Sequence, residues 1–326
     1  VIGLNIADDL EDNLNNNNLM GLLSHESVLG TNLGPRSPGS ILTLLYKQAI
    51  NENIFNFRKI EVADYINKLE DCCNKNTVQI IKSSEVKKIL TQNNSVTGVQ
   101  LHNGENFEST CIISNADPKT TYLDLLGAEI LDTDFIRRTK NFRNKGNVAK
   151  LELVLENDVT INNIDKDMYG KFIYAPNIKY IEHAFNANKY NKYSENPCLE
   201  FYVNQNIISA NVYYIPYLLN STHDENAIIK KCTAILSKFI PDMKIVKEKL
   251  ITPNQMATKY NIAGGHWHHG DLEIDQLLMM RPFYGSAQYS TPISGLYLCS
   301  AGTHPGGGLT GINGLNAAKK VLEDLK

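Results

Sequence analysis

Apolar residues recur at helical spacing in six stretches of the chain. In the last of these, Ala317, Val321 and Leu325 fall on one side of a helix, because residues three and four apart share a helix face. A run of asparagines at 13–18 interrupts the first stretch as a polar loop. The pattern predicts helices over 1–23 (broken at that loop), 41–50, 62–74, 119–138, 225–239 and 316–325.

Shorter apolar runs have the pattern of β-strands. Residues 147–155 alternate apolar and polar side chains, as in a strand with one buried face. Turn residues at 93–94 and 102–104 separate three consecutive runs, which predicts an antiparallel β-meander. Later strands lack short parallel crossovers, which predicts a second, antiparallel sheet with helices on one side. The predicted strands are 78–81, 85–90, 96–101, 107–114, 147–155, 198–203, 210–217 and 296–299.

The C-terminal stretch combines a strand, a glycine-rich loop and a helix. Residues 296–299 are apolar, and six glycines follow between Gly302 and Gly314. Glycine permits positive φ and lets a ligand approach the backbone, while the N-terminus of a helix favours an anion. The literal G-x-G-x-x-G at 306–311 is weak evidence alone, since a dinucleotide fingerprint needs a second strand and an acidic residue further on. A glycine-rich turn that only packs helix on sheet is the structural alternative.

Composition narrows the class of protein. The chain has 326 residues, 42% hydrophobic and 21% charged, with a formal net charge of −3. This length predicts two domains, and the charge argues against a nucleic-acid partner. No apolar run reaches the roughly 18–20 residues of a membrane span. Six scattered cysteines without C-x-x-C predict a reduced protein of the cytoplasm, or of the mitochondrial matrix in a eukaryote.

The C-terminal motif resembles that of the phytoene-desaturase-like FAD oxidoreductases. The specific parts are the runs 298–308 (LCSAGTHPGGG) and 316–318 (NAA). Residues 264–282 supply a second block, with Gly264-Gly265, His269-Gly270, Asp275-Gln276-Leu277 and Arg281-Pro282 in the order that this family uses. Within the family, the chain is most similar to the group of pyridine nucleotide-disulfide oxidoreductase domain-containing protein 2.

The resemblance implies a fold and a division into domains. The fold is α/β plus α+β: an FAD/NAD(P)-binding fold of the GR2 type, with an inserted antiparallel-sheet substrate domain. Residues 52–120 and 292–326 would form parts of a discontinuous FAD-binding domain, and residues 1–51 and 121–291 the substrate or cap domain. The first βαβ unit of such a fold has no counterpart in the sequence, so we expect an N-terminally truncated chain.

The resemblance also implies a cofactor and its site. It implies FAD as cofactor and hydride transfer between flavin and an organic, apolar, small-molecule substrate, with peripheral membrane contact compatible with such a substrate. On the residues alone the meander is a plain structural hairpin; in the family it clamps the adenine side of FAD. Arg281 and His269 would be catalytic residues near the flavin ring, with a salt-bridged structural arginine as the alternative for Arg281. The cofactor-binding residues carried over are Val86, Asn115, Ala116, Gly302, Thr303, His304, Gly306, Gly307, Gly308, Thr310 and Gly311.

Two departures from the family pattern keep a second function open. Relatives enter the helix near residue 62 through a Gly-Gly-Met-Gly segment, whereas this chain has Lys59-Ile60-Glu61-Val62. Relatives read Gly-Ser-Gly where this chain reads Ser300-Ala301-Gly302. Because the same fold occurs without catalysis, a non-catalytic binding or regulatory protein with a degenerate flavin site is the alternative.

A histidine-rich segment at 264–271 raises the question of a metal site. His266, His268 and Asp271 offer ligands of the types that zinc prefers, and a zinc hydrolase would need them to converge. The segment lacks H-E-x-x-H spacing and has glycines on both sides. We therefore expect a polar active-site loop with no metal. The tyrosines that are frequent at 169–217 are expected to fill the core, with an aromatic substrate wall as the alternative.

Overall fold

A computed structural model describes residues 3–50, 62–219 and 221–326. Nine α-helices lie within these ranges. Between them lie a π-helical turn at 120–125 and short 3-10 turns at 128–130, 166–168, 274–276 and 278–280. The α-helices are α1 (Ile6–Asn13), α2 (Asn17–Val28), α3 (Ser40–Ile50), α4 (Val62–Lys75), α5 (Thr133–Asn141), α6 (Ile178–Lys189), α7 (Thr222–Leu236), α8 (Pro253–Tyr260) and α9 (Ile312–Asp324).

The described strands form three sheets. A three-stranded sheet has the order β1-β2-β3, a two-stranded parallel sheet pairs β4 with β10, and a five-stranded antiparallel sheet has the order β6-β7-β8-β5-β9. The strands are β1 (Val86–Gln92), β2 (Ser95–Leu101), β3 (Asn106–Glu108), β4 (Ile112–Ser114), β5 (Val148–Leu155), β6 (Phe172–Tyr174), β7 (Leu199–Asn204), β8 (Ile207–Tyr213), β9 (Ile245–Ile251) and β10 (Leu296–Leu298).

The N-terminal helices begin at asparagine caps. The side chain of Asn5 accepts a hydrogen bond from the backbone of Asp8, and that of Asn16 accepts one from Leu19. An N-cap side chain satisfies a backbone N–H that the helix leaves unpaired. The predicted break in the first helical stretch is therefore confirmed, and Asn16 starts the second helix rather than extending a loop.

The five-stranded sheet and α7 enclose the largest hydrophobic core. Leu151 and Leu153 of β5 and Ile208 of β8 are fully buried on one face, against Ile228 and Cys232 of α7. The predicted antiparallel sheet is confirmed in its strand pairing. Tyrosine side chains contribute at the margin of this core, as the pattern at 169–217 predicted.

The predicted return strand at 107–114 is wrong as a single strand. The chain divides it into β3, which pairs antiparallel with β2, and β4, which pairs parallel with β10. Between them the Ser109 hydroxyl donates to the carbonyl of Cys111 and accepts from its N–H. These local hydrogen bonds end the pairing of the backbone with β2, so that the next residues can pair with β10 instead.

The predicted strand at 78–81 is also wrong. Val78 donates from its backbone N–H to the carbonyl of Cys73 in the last turn of α4, and Thr77 has φ of 58°. A strand needs a neighbouring strand for its backbone hydrogen bonds, and none pairs with this segment among the residues that the structure describes. The apolar side chains of Val78, Ile80 and Ile81 are consequently exposed.

The parallel pair places the candidate site. Leu296 lies opposite Ile112 and Leu298 opposite Ser114, so both strands end at the same edge. In sheets of parallel strands, ligands bind at the carboxyl ends. The segment that starts at Asn115 and the glycine-rich loop after β10 therefore leave the sheet side by side. None of the helices in the described ranges has both the length and the apolar character needed to cross a bilayer.

Candidate functional site

Two neighbouring clefts lie at the carboxyl edge of β4 and β10. The meander cleft, of about 630 Å³, is lined by Val86, Asn115 and Ala116 together with neighbours from β1, β2 and β4. The glycine-loop cleft measures about 790 Å³. Asn115 lines both clefts. The glycine-loop cleft is lined by Leu29, Asn115, Glu200, Asn211, Tyr213, Trp267, His268, Cys299, Ala301, Gly306, Gly307, Gly308, Leu309, Thr310, Gly311, Asn313 and Gly314.

Two glycines of the loop, Gly308 and Gly311, and Gly314 in the first turn of α9 present open backbone to this cleft. A Cβ built on Gly311 or Gly314 would meet nothing within 4 Å, and one on Gly308 would meet only the Thr310 methyl at 3.7 Å. Gly308 and Gly311 also have φ of 140° and 72°, a region that side chains rarely adopt. The loop therefore forms a cradle in which a ligand can approach the main chain.

The N-terminus of α9 lies at the same cleft. The helix begins at Ile312, whose N–H donates to the Thr310 hydroxyl at 3.3 Å, and its N-cap, Gly311, has no side chain to bond the next N–H groups. Asn313 and Gly314 of that first turn line the cleft. An uncapped helix start carries free N–H donors and partial positive charge, both of which favour an anionic group such as a phosphate.

His268 is the histidine that faces the cleft. Its imidazole is buried between two glycines: a Cβ on Gly307 would lie 2.4 Å from Nδ1, and one on Gly30 would lie 2.7 Å from Cδ2. Burial holds the pKa of His268 well below its ordinary value, so the ring is neutral. Nδ1 is buried against Gly307 and has no hydrogen-bond partner among the described residues.

The predicted catalytic histidine, His269, lies outside both sets of lining residues. It occupies a turn with φ of 57°, and burial lowers its pKa. Sequence reasoning chose it over His268 because the family motif falls on His269 and Gly270. The choice between adjacent side chains depends on the backbone turn and on Gly30, 238 residues earlier, so no local pattern indicates it.

Arg281 is fully buried and bonds only to backbone in the described structure. Its guanidinium donates six hydrogen bonds of 2.6–3.3 Å. Burial lowers its pKa to about 10, so it stays charged at neutral pH. The side chain ties the histidine-rich segment to the loop after β10 and does not line either cleft. The five acceptors are the carbonyls of His268, Gly270, Asp271, Gln276 and Ala301.

Three further predicted cofactor residues lie behind the loop. A Cβ on Gly302 would lie 2.4 Å from Cδ of Pro118, so this glycine permits close packing. The Thr303 hydroxyl donates to the carbonyl of Ser300 at 2.8 Å. The His304 ring is 3.1 Å from the Tyr46 hydroxyl. These side chains shape the loop from its protein side.

Asn313 organises the loop and was missed in the sequence. Its side-chain amide donates to the carbonyls of Ser300 and Thr303, at 3.1 and 3.0 Å. The residue is buried, in the first turn of α9. An asparagine in a first helical turn directly after a glycine loop is a signal that could have indicated this role, because its amide can satisfy loop carbonyls.

The histidine-rich segment does not assemble the zinc ligands considered in the sequence. His266 Nε2 lies 3.5 Å from Asp271 Oδ1, while Arg143 pairs with the other oxygen at 3.4 Å. Burial lowers the pKa of His266 to about 3 and raises that of Asp271 to about 7. His268 instead lies against the glycine loop. The described residues therefore give this segment a structural role beside the cleft.

A different set of ligand-type atoms does converge in the described residues. Nitrogen and oxygen atoms of His25, Glu26 and Glu200 lie within 4.8 Å of one another. The Lys171 ammonium, however, pairs with both carboxylates. An ammonium already provides the positive charge between them, so we interpret this set as a buried ion cluster.

Comparisons with known proteins confirm the resemblance predicted from the C-terminal motif. The chain is 24% identical over 364 residues to mouse pyridine nucleotide-disulfide oxidoreductase domain-containing protein 2, covering 98% of this chain and 61% of the relative. It is 23% identical over 268 residues to the lycopene-forming phytoene desaturase of Pantoea ananas, covering 76% of this chain and 52% of that enzyme. No protein-family model matches the chain.

Solved structures support the fold. An oxidoreductase from Methanosarcina mazei superimposes with a TM-score of 0.59 at 14% identity, covering 98% of this chain and 68% of the other. At this identity the likeness shows the fold alone. The chain thus spans about half to three-fifths of the curated relatives it matches. Its mixed α/β fold is similar to that of the Methanosarcina mazei oxidoreductase.

Proposed function

We propose that the chain is the FAD-binding and substrate-binding part of an oxidoreductase that transfers hydride between a small organic molecule and flavin. One observation carries this proposal: Asn115, which follows the edge where both parallel strands end, lines both clefts. A pair of neighbouring clefts suits an elongated dinucleotide better than a compact ligand. The oxidoreductase relatives support the same class of reaction.

The lining residues divide between the two ends of such a cofactor. Val86, Asn115 and Ala116 would hold the adenine side in the meander cleft. The glycine cradle and the start of α9, with Gly308, Thr310 and Gly311, would hold the pyrophosphate and ribityl chain. Free N–H donors and the helix dipole stabilise the negative charge of phosphate groups there. These residues fit the cofactor because they offer open backbone beside the helix start.

Bound flavin would supply the hydride-accepting ring, and the chain would supply position and environment. Trp267, Tyr213 and Leu29 give the cleft apolar walls, which exclude water from a hydride transfer. The neutral His268 lines this cleft and would contact the ring or the substrate. We assign Arg281 a positioning role, because it holds the carbonyls on both sides of the cleft in place rather than touching it.

Thermal melting with added FAD tests this proposal. FAD at a thousand times its Kd stabilises a folded chain by about 4 kcal/mol, so the melting temperature of the wild type should rise. Gly314→Asp adds a carboxylate where nothing lies within 4 Å, in a helix turn that favours acidic residues. It should fold normally but repel the pyrophosphate, and FAD affinity should fall ~10- to 100-fold, since like charges about 5 Å apart repel by a few kcal/mol.

Gly314→Asn is the matched control, with nearly the same shape and no charge. It should keep the FAD response. A wild-type melting temperature that ignores FAD would support the non-catalytic alternative. Equal FAD responses in the Asp and Asn variants would contradict the placement of the pyrophosphate at α9.

A further inference from the structure

A buried charge cluster lies behind one wall of the glycine-loop cleft. It consists of Glu26, Lys171 and Glu200, whose side chains are each about one-tenth exposed. The Lys171 ammonium pairs closely with Glu26 and at 3.6 Å with Glu200. Buried charges are costly unless they are paired and hydrogen-bonded. Each carboxylate of this cluster therefore needs hydrogen-bond donors beside it.

Of the three cluster residues, Glu200 lines the cleft. It lies opposite Asn211 in the β7–β8 pair, and the Asn211 amide donates to Glu200 Oε1 at 2.9 Å. The Asn211 oxygen in turn accepts from Lys150 at 3.3 Å. A carboxylate offers about four acceptor positions. The contacts with Asn211 and Lys171 use part of this capacity, and Glu200 lines the cleft.

The walls next to Glu200 are apolar. Tyr213 and Trp267 pack edge to face with ring centroids 6.4 Å apart, and Leu29 lies on the same cleft. A carboxylate with spare acceptor capacity on an apolar wall is costly unless a donor completes it. A ligand that combines an apolar body with one donor group satisfies both parts of this surface. A purely apolar ligand would leave Glu200 incomplete, and an anionic head would be repelled.

We propose that the cleft binds an amphipathic substrate whose head group, an amine or a hydroxyl, donates a hydrogen bond to the Glu200 carboxylate. The apolar body of this substrate lies along Tyr213, Trp267 and Leu29. The assignment rests on the proposed function only in naming this ligand a substrate of the flavin reaction. The recognition itself requires the cleft and Glu200 alone.

Fluorescence of Trp267, the single tryptophan of the chain, reports binding in this cleft without any enzyme assay. Four probes share a phenyl-terminated body: phenethylamine, phenethyl alcohol, ethylbenzene and 3-phenylpropionate. A hydrogen bond to a charged acceptor should make the amine or the alcohol bind ~10-fold tighter than ethylbenzene. The amine and alcohol titrations distinguish the two head groups. Equal affinities for both of these and ethylbenzene, or tightest binding by 3-phenylpropionate, would overturn the proposal.

Two variants test whether Glu200 carries the preference. Glu200→Gln removes the charge but keeps one acceptor oxygen, so it should reduce the advantage of the donor probes and leave ethylbenzene affinity unchanged. Glu26→Gln, which removes the other carboxylate on Lys171 but does not line the cleft, should keep the advantage. The proposal is overturned when Glu200→Gln retains the wild-type preference or both variants lose it alike. Should Glu200→Gln fail to fold, Glu200→Asp, with its carboxylate withdrawn from the cleft, should show a reduced preference.

Titrations with and without FAD separate this proposal from the proposed function. Flavin absorbance reports whether FAD binds, and Trp267 reports the probes. Donor preference without FAD binding would support Glu200 recognition and contradict the flavin assignment. FAD binding without donor preference would support the flavin assignment and contradict Glu200 recognition.

Discussion

Arg281→Met is expected to destabilise the fold strongly, because this buried guanidinium donates six hydrogen bonds to backbone carbonyls. Methionine keeps most of the side-chain volume but removes every donor. Each buried carbonyl left without a partner costs about 1–3 kcal/mol. These costs do not add fully, and removal of a buried charge offsets part of them.

The expected loss in the free energy of unfolding is about 3–5 kcal/mol, which is exceptional for one substitution. Urea unfolding followed by Trp267 fluorescence measures it, through the midpoint and the slope. Arg137→Met is the control: Arg137 is exposed and pairs with Asp134 on the surface at 3.0 Å, so its loss should stay within about 0.5 kcal/mol. A loss below about 1 kcal/mol for Arg281→Met would refute the positioning role.

Two further predictions concern the same region. Burial raises the pKa of Asp271 from 3.8 to about 7, so the folded chain holds this proton more tightly and the stability it contributes is lost as pH rises from 3.8 to about 7. The asparagine of Asp271→Asn does not titrate, so over this pH range the free energy of unfolding of the variant should fall by up to about 4 kcal/mol less than that of the wild type. Urea unfolding at several pH values measures this, and parallel pH profiles for the two proteins would contradict it. Gly302→Ala should destabilise by about 1–3 kcal/mol through its clash with Pro118, whereas Gly170→Ala, which meets nothing within 4 Å, should stay near wild type; equal melting temperatures would count against the packing argument.

Local pattern predicted the C-terminal motif well, because strand, loop and helix there follow one another in sequence. The strand at 296–299 appears as β10, and the helix begins at Ile312 rather than at residue 316. Asn313 and Gly314 have poor helix propensity, so the sequence did not predict that the first turn of the helix includes them. That turn forms because Asn313 bonds the loop carbonyls, a tertiary contact that propensity does not include.

Elements that depend on distant partners were predicted less well. The edge strand β9 was missed. Four consecutive residues of this strand are exposed, so its sequence does not alternate between apolar and polar side chains. Helix α6 was missed although Ile178, Ile181 and Phe185 are buried at helical spacing; the frequent tyrosines around it favoured a strand interpretation. The segment 59–61, which bears on the departure from the family pattern, lies outside the described residues.

The candidate site shows the same limit. The glycine loop and the end of β4 could be identified by motif, because backbone conformation demands those residue types locally. His268 and Glu200 could not, since each reaches the cleft only when the five-stranded sheet, the histidine-rich segment and the loop after β10 pack together. Arg281 was identified as important, but its burial among carbonyls, which decides its role, is a tertiary property.

Titration of the chain with FAD, followed by Trp267 fluorescence, tests the central claim most directly. Trp267 lines the glycine-loop cleft, so flavin bound there should quench its emission in a saturable way after correction for absorbance. Adenosine diphosphate, which lacks the flavin ring, should compete with FAD without quenching. Unchanged Trp267 emission at FAD concentrations that saturate the protein by dialysis, or no binding at all, would contradict a flavin site in this cleft.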